Sequence, residues 1–373
     1  MLQPRDTRDL AEAIADAALD GTRLAIRGGG SKDGIGSPSD ALPLAMHAFA
    51  GVIDYDPAEL VLTAGAATPL AEIEALVAGQ GQMLAFAPFD HGPLFGRAAG
   101  SATLGGVIAA GVAGSQRLSQ GGSRDHLLGF QAVSGRGEAF TAGAKVVKNV
   151  TGYDLPKLAA GSWGRLFAMT EVTLKVLPAP RAARTLAIAG LGFVEAQVAM
   201  AAAIGSTAEV AAAAYLPGGA TSSTLFRLQG FAPSVAARSD TLSRVVAPFG
   251  TLDAVDDGCW DGLTSLAALP AGPSLWRINL PPSRAPVLIA AFPGIDWLAD
   301  WAGGLLWLAY DGPADTLRAA AEAAGGHAML VRASAAHEGV PMLHPQPSGV
   351  AALEARVRRA FDPAGVFETG RFG

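Results

Sequence analysis

The chain has little sulfur, little lysine and little charge. Of its 373 residues one is a cysteine, Cys259. One thiol cannot close an internal disulfide, build a cysteine-rich zinc site or hold an iron–sulfur cluster. If electrons pass through this chain, they pass by an organic cofactor or a partner. Cys259 itself reads as a small packed residue rather than a nucleophile. Charged side chains make up 16% of the chain and the net charge is −6. The clustered cations that displace counterions from nucleic acid are absent, so no nucleic-acid partner is expected. No basic amphipathic stretch suggests insertion into a membrane surface. The apolar run from Leu298 to Tyr310 contains Asp300 and two glycines and is too short to span a bilayer. The first residues carry acids and lack the long apolar centre of a signal peptide. The expectation is a cytoplasmic protein.

Lysine occurs at five positions, Lys32, Lys145, Lys148, Lys157 and Lys175, all in the first half and near glycine-rich segments. Two readings stay open, chance with strand-edge solvation or a specific use for ammonium groups such as phosphate contact. What the chain has in abundance is apolar residues, 50% of the total. That is ample for two domains or one elaborated domain.

Periodicity places a helix over 7–19 with Thr7 as N-cap, and a strand over 23–27 that ends in Gly28-Gly29-Gly30. It gives a strand pair over 52–55 and 60–63, a helix over 69–78 with proline in its first turn, and a strand over 82–86. A short apolar segment over 104–110, a hairpin from 126–134 and 138–142, a helix over 154–160 and a strand over 166–177 follow. From Arg181 the chain is alanine-rich and lysine-free. Strand-like runs at 184–188, 224–229, 275–280, 304–310 and 328–332 alternate with helical ones at 193–204, 235–246 and 314–324, and a last helix covers 350–361. This pattern implies an α+β domain with one antiparallel sheet and helices on one face.

Four segments carry chemistry. In Arg27-Gly28-Gly29-Gly30-Ser31-Lys32, consecutive glycines let backbone N–H groups converge on an anion, with a hydroxyl and cations beside them. The segment is neither a Walker A loop nor a G-x-G-x-x-G fingerprint, and a plain tight turn explains it equally well. The stretch from Thr103 to Ser115 is rich in small residues that admit close approach of a flat ring or phosphate, or of a helix to a sheet. Arg124-Asp125 opens a strand and in isolation reads as a structural ion pair. A polar, glycine-punctuated run from Lys145 to Leu158 leads through Trp163 into the strand that holds Thr170. Together they fit a cradle for a long diphosphate cofactor.

The order RGGGSK, the block Tyr55–Asp90, ATLGGVIAAGVAGSQR, SRDHLLG, KNVTGYDLPKL, AGSWGRLFAMTEVTLKVLP and a final FDPAGVFETGRF resembles the FAD-binding E subunits of bacterial glycolate oxidase (glycolate dehydrogenase). These belong to the vanillyl-alcohol oxidase / p-cresol methylhydroxylase (PCMH) type of FAD-binding protein. The resemblance covers residues 20–180 and the last dozen residues. It implies an α+β fold: a two-subdomain PCMH-type FAD-binding domain over 1–180, an α+β cap domain over 181–345, and a C-terminal helix and tail over 346–373 returning to the FAD domain. By the same resemblance Arg27, Gly28, Gly29, Gly30, Ser31 and Lys32 would meet the pyrophosphate. Thr103, Leu104, Gly105, Gly106, Ala110, Gly111 and Gly114 would line pyrophosphate and flavin edge. Pro88 would sit on the flavin side, Asp125 and Gly129 would shape the site, Ala168 and Met169 would touch the cofactor by backbone, and Arg371 would return to it.

Covalently flavinylated relatives carry a histidine in the first glycine loop; Ser31 and Lys32 stand there here, so the resemblance implies non-covalent FAD. Relatives that oxidise hydroxy acids carry metal-binding histidines in the cap. Here His337 and His344 keep only part of that pattern, and no metal is expected. Catalytic residues are not identified. Arg227, Arg277 and Arg332 are candidates for holding a carboxylate, with surface salt bridges as the equal alternative. Trp276, Trp297, Trp301 and Trp307 read as core, with a partner-binding patch as the alternative. The implied partners are a second FAD-binding subunit that carries the substrate site and an iron–sulfur subunit, with the membrane reached only through them. Two other readings are a self-sufficient FAD-dependent 2-hydroxy-acid dehydrogenase and a flavin-free scaffold subunit.

Overall fold

The computed structural model describes residues 1–143 and 153–372. The run Lys145–Gly152 lies outside the described residues, so the polar segment singled out above is seen only from Tyr153 on.

The chain opens with a helix, Thr7–Asp20, whose N-cap is Asp6 rather than Thr7: the Asp6 carboxylate accepts from Asp9 N–H. Leu10, Ile14 and Ala17 form its buried stripe. They pack on Leu24, Leu44, Val133, Ala168, Val366 and Phe367. Strand Leu24–Arg27 pairs in parallel with Leu42–Ala45, a strand that Pro43 concealed in the sequence. An antiparallel five-stranded sheet follows, in the spatial order Val52–Asp56, Val61–Gly65, Phe167–Lys175, Leu127–Ser134, Ala139–Gly143. Its inner side, with Leu62, Phe130, Val172 and Leu174, buries Ile73 and Val77 of helix Leu70–Ala78 and Val107 and Ile108 of helix Leu104–Ala109. The strand expected over 82–86 is only Gln82–Met83. Leu84, Ala85 and Phe86 are all buried and turn into the core, closed by Ala87 N–H to Leu84 O (2.9 Å).

Beyond the short strand Leu177–Pro178 lies an eight-stranded sheet. Its spatial order is Asp253–Val255, Ala182–Ala189, Ser223–Gly230, Ala212–Leu216, Asp296–Asp300, Leu305–Ala309, Leu275–Asn279, His327–Arg332, and its strand pairings are all antiparallel among the described residues. Helices Phe193–Ile204, Ala232–Val246, Ala285–Ala290 and Ala314–Ala323 cover one face through Met200, Leu242, Leu288 and Leu317. The other face, with Leu225, Leu298, Trp307 and Val331, rests on Ile35, Leu94 and Ala113 of the first half. Three strands of this sheet escaped the periodicity argument, among them the short edge strand Asp253–Val255. Ala212–Leu216 is alanine-rich and locally helix-favouring, but as an interior strand packed on both faces it needs small side chains. Asp296–Asp300 is short and begins on an acid.

Helix Ser348–Phe361 carries Phe361 against Phe140 and Phe167 (ring centroids 6.1 and 5.3 Å). The tail then crosses the first half, with Leu24 N–H donating to Val366 O at 2.7 Å.

Candidate functional site

A cleft opens where the loop after strand Leu24–Arg27 faces helix Leu104–Ala109 and strand Phe167–Lys175. The glycine loop lies flush on residues 101–103. A Cβ on Gly29 would stand 1.9 Å from Ser101 O, and one on Gly28 would stand 2.5 Å from Thr103 Oγ1. Only residues without a side chain let the loop sit this close. The N–H groups of Gly29, Gly30, Ser31 and Lys32 donate to no group among the described residues. Four successive unpaired donors beside a cleft form a nest for anionic oxygen.

Lys32 reinforces the nest. Burial pushes its ammonium down to about 8. Its one polar contact among the described residues is Ser31 Oγ at 3.4 Å, with Asp90 acting from further away. A desolvated cation with no carboxylate in ion-pair range is the state that an arriving phosphate would relieve. The other predicted cations are committed elsewhere. Arg27 pairs with Asp33 (2.6 Å), which also receives Arg97 (3.0 Å). Arg371 donates to Ile35 O (2.6 Å) and to Lys32 O, and so clasps the loop from behind.

Of the residues expected to meet a cofactor, the cleft brings together Arg27, Gly28, Gly29, Gly30, Ser31, Lys32, Thr103, Gly105, Gly106, Ala110, Met169 and Arg371. The rest lie elsewhere. Leu104 and Ala168 are core residues. Gly129 sits mid-strand opposite Gly143 and Thr173. Asp125 does not pair with its neighbour Arg124 but accepts from Gly122 N–H at 2.8 Å. Gly111 lines the neighbouring cavities. Pro88 and Gly114 line a notch beside Trp260. Sequence reasoning passed over Met46, Ala66, Ala67, Trp163, Phe167 and Phe372, which also line the cleft. Trp163 stood in a quoted block but gave no separate signal. Its loop docks on the helix through Gly161 N–H to Ile108 O (3.1 Å) and Trp163 N–H to Ala109 O (2.8 Å). Its ring lies 5.5 Å from that of Phe372.

Beyond Trp163 and Ala110 lies a second, larger cavity under the eight-stranded sheet. Of the three arginines considered for carboxylate binding, it is lined by Arg277 alone. Arg227 pairs with Asp257. Arg332 donates to the carbonyls of Leu94 (2.9 Å), Pro270 (3.1 Å) and Pro273 (3.2 Å), and so staples the sheet to the first half. Trp276, Trp301 and Trp307 are buried and Trp297 packs on Phe193 and Tyr215, which fits the core reading of the tryptophans. His337 is buried with its ring nitrogens on Ser274 Oγ (2.7 Å) and Gly312 O (2.8 Å), and His344 Nδ1 accepts from Ala328 N–H (3.3 Å). No group of three or more metal-competent side chains occurs among the described residues. Cys259 is half-buried, and burial, followed by nearby Asp257, pushes its thiol up, away from nucleophilic use.

Comparison with known proteins agrees with this geometry. Residues 1–143 match the FAD binding domain family. Over 373 residues the chain is 34% identical to the glycolate oxidase subunit GlcE of Escherichia coli K12, covering 97% of this chain and 96% of that one. A shorter match, 38% over 84 residues, covers 22% of this chain and 18% of the glycolate oxidase subunit GlcD of Bacillus subtilis 168. Another, 38% over 104 residues, covers 27% of this chain and 24% of a D-lactate dehydrogenase of Archaeoglobus fulgidus. Among solved structures, alkyldihydroxyacetonephosphate synthase superposes with a TM-score of 0.68 at 14% identity, over 98% of this chain and 76% of that one, a likeness of fold.

Proposed function

The chain belongs to the GlcE family of glycolate oxidase FAD-binding subunits, and from that premise we propose that it is the FAD-carrying subunit of a glycolate oxidase-type complex. In this reading it takes part in oxidising glycolate, a 2-hydroxy acid, to glyoxylate. A second FAD-binding subunit carries the main substrate site and an iron–sulfur subunit takes the electrons. Bound FAD supplies the two-electron acceptor for a CH–OH donor. The residues of this chain bind and orient it. The Gly29–Lys32 amides and the Lys32 ammonium hold the pyrophosphate, Gly106 and Ala110 leave room for flat rings, and Trp163 with Phe372 closes the end of the cleft. No histidine or cysteine lines the cleft among the described residues, and we read the FAD as non-covalent. We assign the FAD-binding domain to 1–180, the cap to 181–345 and the returning tail to 346–373. No helix among the described residues is long and apolar enough to cross a membrane, and we place membrane contact with the partners.

The single observation that carries this reading is the row of unpaired amides beside a half-buried, carboxylate-free lysine. The test is the visible spectrum of the purified chain before and after anaerobic glycolate. A flavin band that persists until partner subunits are added supports the subunit reading. A colourless, well-folded chain would show a scaffold. A band bleached by glycolate alone would show a self-sufficient dehydrogenase, a second reading that the half-buried Arg277 favours.

A further inference from the structure

The cavity beyond Trp163 has a volume of about 840 Å³. It contains more positive charge than the protein answers. Five arginines line it, Arg117, Arg124, Arg165, Arg277 and Arg358, against one carboxylate, Glu354. Glu354 is already taken by Arg165 (2.8 Å), and Arg358 is held by Glu368 as well as by Glu354 (3.8 Å). Arg117 and Arg277 have no ion-pair partner among the described residues.

Arg277 is the most exacting of these. It is half-buried, and its one hydrogen bond among the described residues goes to the neutral Asn279 Oδ1 at 2.7 Å. Burial, with Arg117 adding repulsion, lowers its proton affinity to about 10. Asp300 acts on it from beyond ion-pair range, its oxygens accepting from Ser115 Oγ (2.6 Å) and Trp301 N–H (2.7 Å). A desolvated guanidinium with no carboxylate in ion-pair range among the described residues is short of a counter-charge.

The two guanidiniums are also built into place. Both lie against the indole of Trp301, Arg117 at 4.8 Å and Arg277 at 5.2 Å from the ring centre. That indole is pinned by Nε1–H to Gly114 O (3.0 Å). Trp301 and Ala302 hold φ near 52°, a left-handed conformation costly for residues with a Cβ and characteristic of functional sites. The forked face of a guanidinium matches a planar carboxylate. Nearby, desolvation and the charge of Arg277 favour the neutral form of His327, and desolvation that of His344, so they present uncharged donors and acceptors suited to a hydroxyl or oxo group beside that carboxylate.

We propose that Arg277 and Arg117, on the Trp301 platform, form a carboxylate-binding site within this chain, and that its ligand is a 2-hydroxy acid or the matching 2-oxo acid. Because the cavity shares Ala110, Trp163 and Phe372 with the cofactor cleft, the bound acid lies beside the flavin end of FAD, a placement that rests on the FAD reading. The consequence is that substrate binding is not left to the partner subunit alone.

Oxalate, a non-oxidisable stand-in, tests this by two signals read on the same sample. Tryptophan fluorescence, to which Trp301 and Trp307 contribute, reports binding with or without flavin, and the visible flavin band reports its neighbourhood. The expected result is a saturable fluorescence change with oxalate and none with acetamide. Arg277→Met should weaken oxalate by on the order of 100-fold while melting at an equal or higher temperature, because it removes an unpaired, desolvated charge. Arg277→Lys should fall between, and Arg117→Met should weaken binding by about 10-fold. No saturable change in the native chain, or equal oxalate affinity in Arg277→Met and Arg277→Lys, overturns the site. A colourless preparation that still binds oxalate leaves the site standing and sinks the FAD reading; a yellow one whose fluorescence ignores oxalate does the reverse.

Discussion

Two half-buried cations stand on either side of the Trp163 wall, and they are held by opposite means. Lys32 sits in a loop shaped by missing side chains, where glycines bring bare amides to the cleft. Arg277 sits on a strand beside large aromatic side chains, Trp301 and Trp307, which fix its plane. The first region makes an anion site from backbone and the second from side chains. The first should therefore fail when atoms are added, and the second should fall silent, without loss of stability, when charge is removed.

The largest expected effect is in the backbone-built region. Gly29→Val would drive a Cβ into Ser101 O, so the purified chain should carry no flavin and lose about 1–3 kcal/mol of stability, read by the flavin-to-protein absorbance ratio and by urea melts. A fully flavinated Gly29→Val chain would break the comparison. Next, Lys32→Met should weaken FAD by about 10–100-fold, the range of a charge-assisted hydrogen bond, with unchanged or raised thermal stability. Flavin fluorescence titration decides it, and unchanged affinity would remove Lys32 from the phosphate.

A pH series sharpens the point. Without ligand Lys32 loses its proton near pH 8. A bound phosphate raises that pKa, so FAD uptake is accompanied by proton uptake above pH 8. Affinity should be flat below pH 8 and fall by up to about tenfold per unit above it, and this slope should vanish in Lys32→Met. The smallest effect belongs to Arg332, which holds carbonyls rather than a ligand. Arg332→Met should cost about 1–2 kcal/mol in urea unfolding and leave FAD and oxalate affinities unchanged. A change in oxalate affinity would mean that Arg332 also serves the cavity.

Much of this architecture was legible because local and tertiary preferences agree. Helix Phe193–Ile204 and the hairpin of Leu127–Ser134 with Ala139–Gly143 follow directly from their apolar periods. The glycine loop was legible through the order of the blocks around it, since a tight turn alone explains a triple glycine equally well. What stayed hidden depends on distant packing. Ala212–Leu216 is a strand only because its neighbours are strands, and Pro43 masks a strand whose pairing is parallel and short. In the site, Arg227, Arg277 and Arg332 are equivalent on paper. Asp257 and the carbonyls of Leu94, Pro270 and Pro273 tell them apart, and none of these partners is near in sequence. Leu104 and Ala168 were placed at the cofactor by the resemblance, Ala168 through its backbone; their side chains pack in the core, while Thr103, Gly105 and Met169 line the cleft.

The clasp of Arg371 on Lys32 O and Ile35 O also sets an order of events during synthesis. A ribosome that has delivered residue 332 has supplied every strand of both sheets, yet the carbonyls of the glycine loop still lack their donor. The nascent protein at that stage has its walls but not its latch. Loading of the cofactor then becomes a late step, gated by arrival of a residue more than 300 positions downstream, and a stalled or clipped chain would be recognisable by its lack of colour.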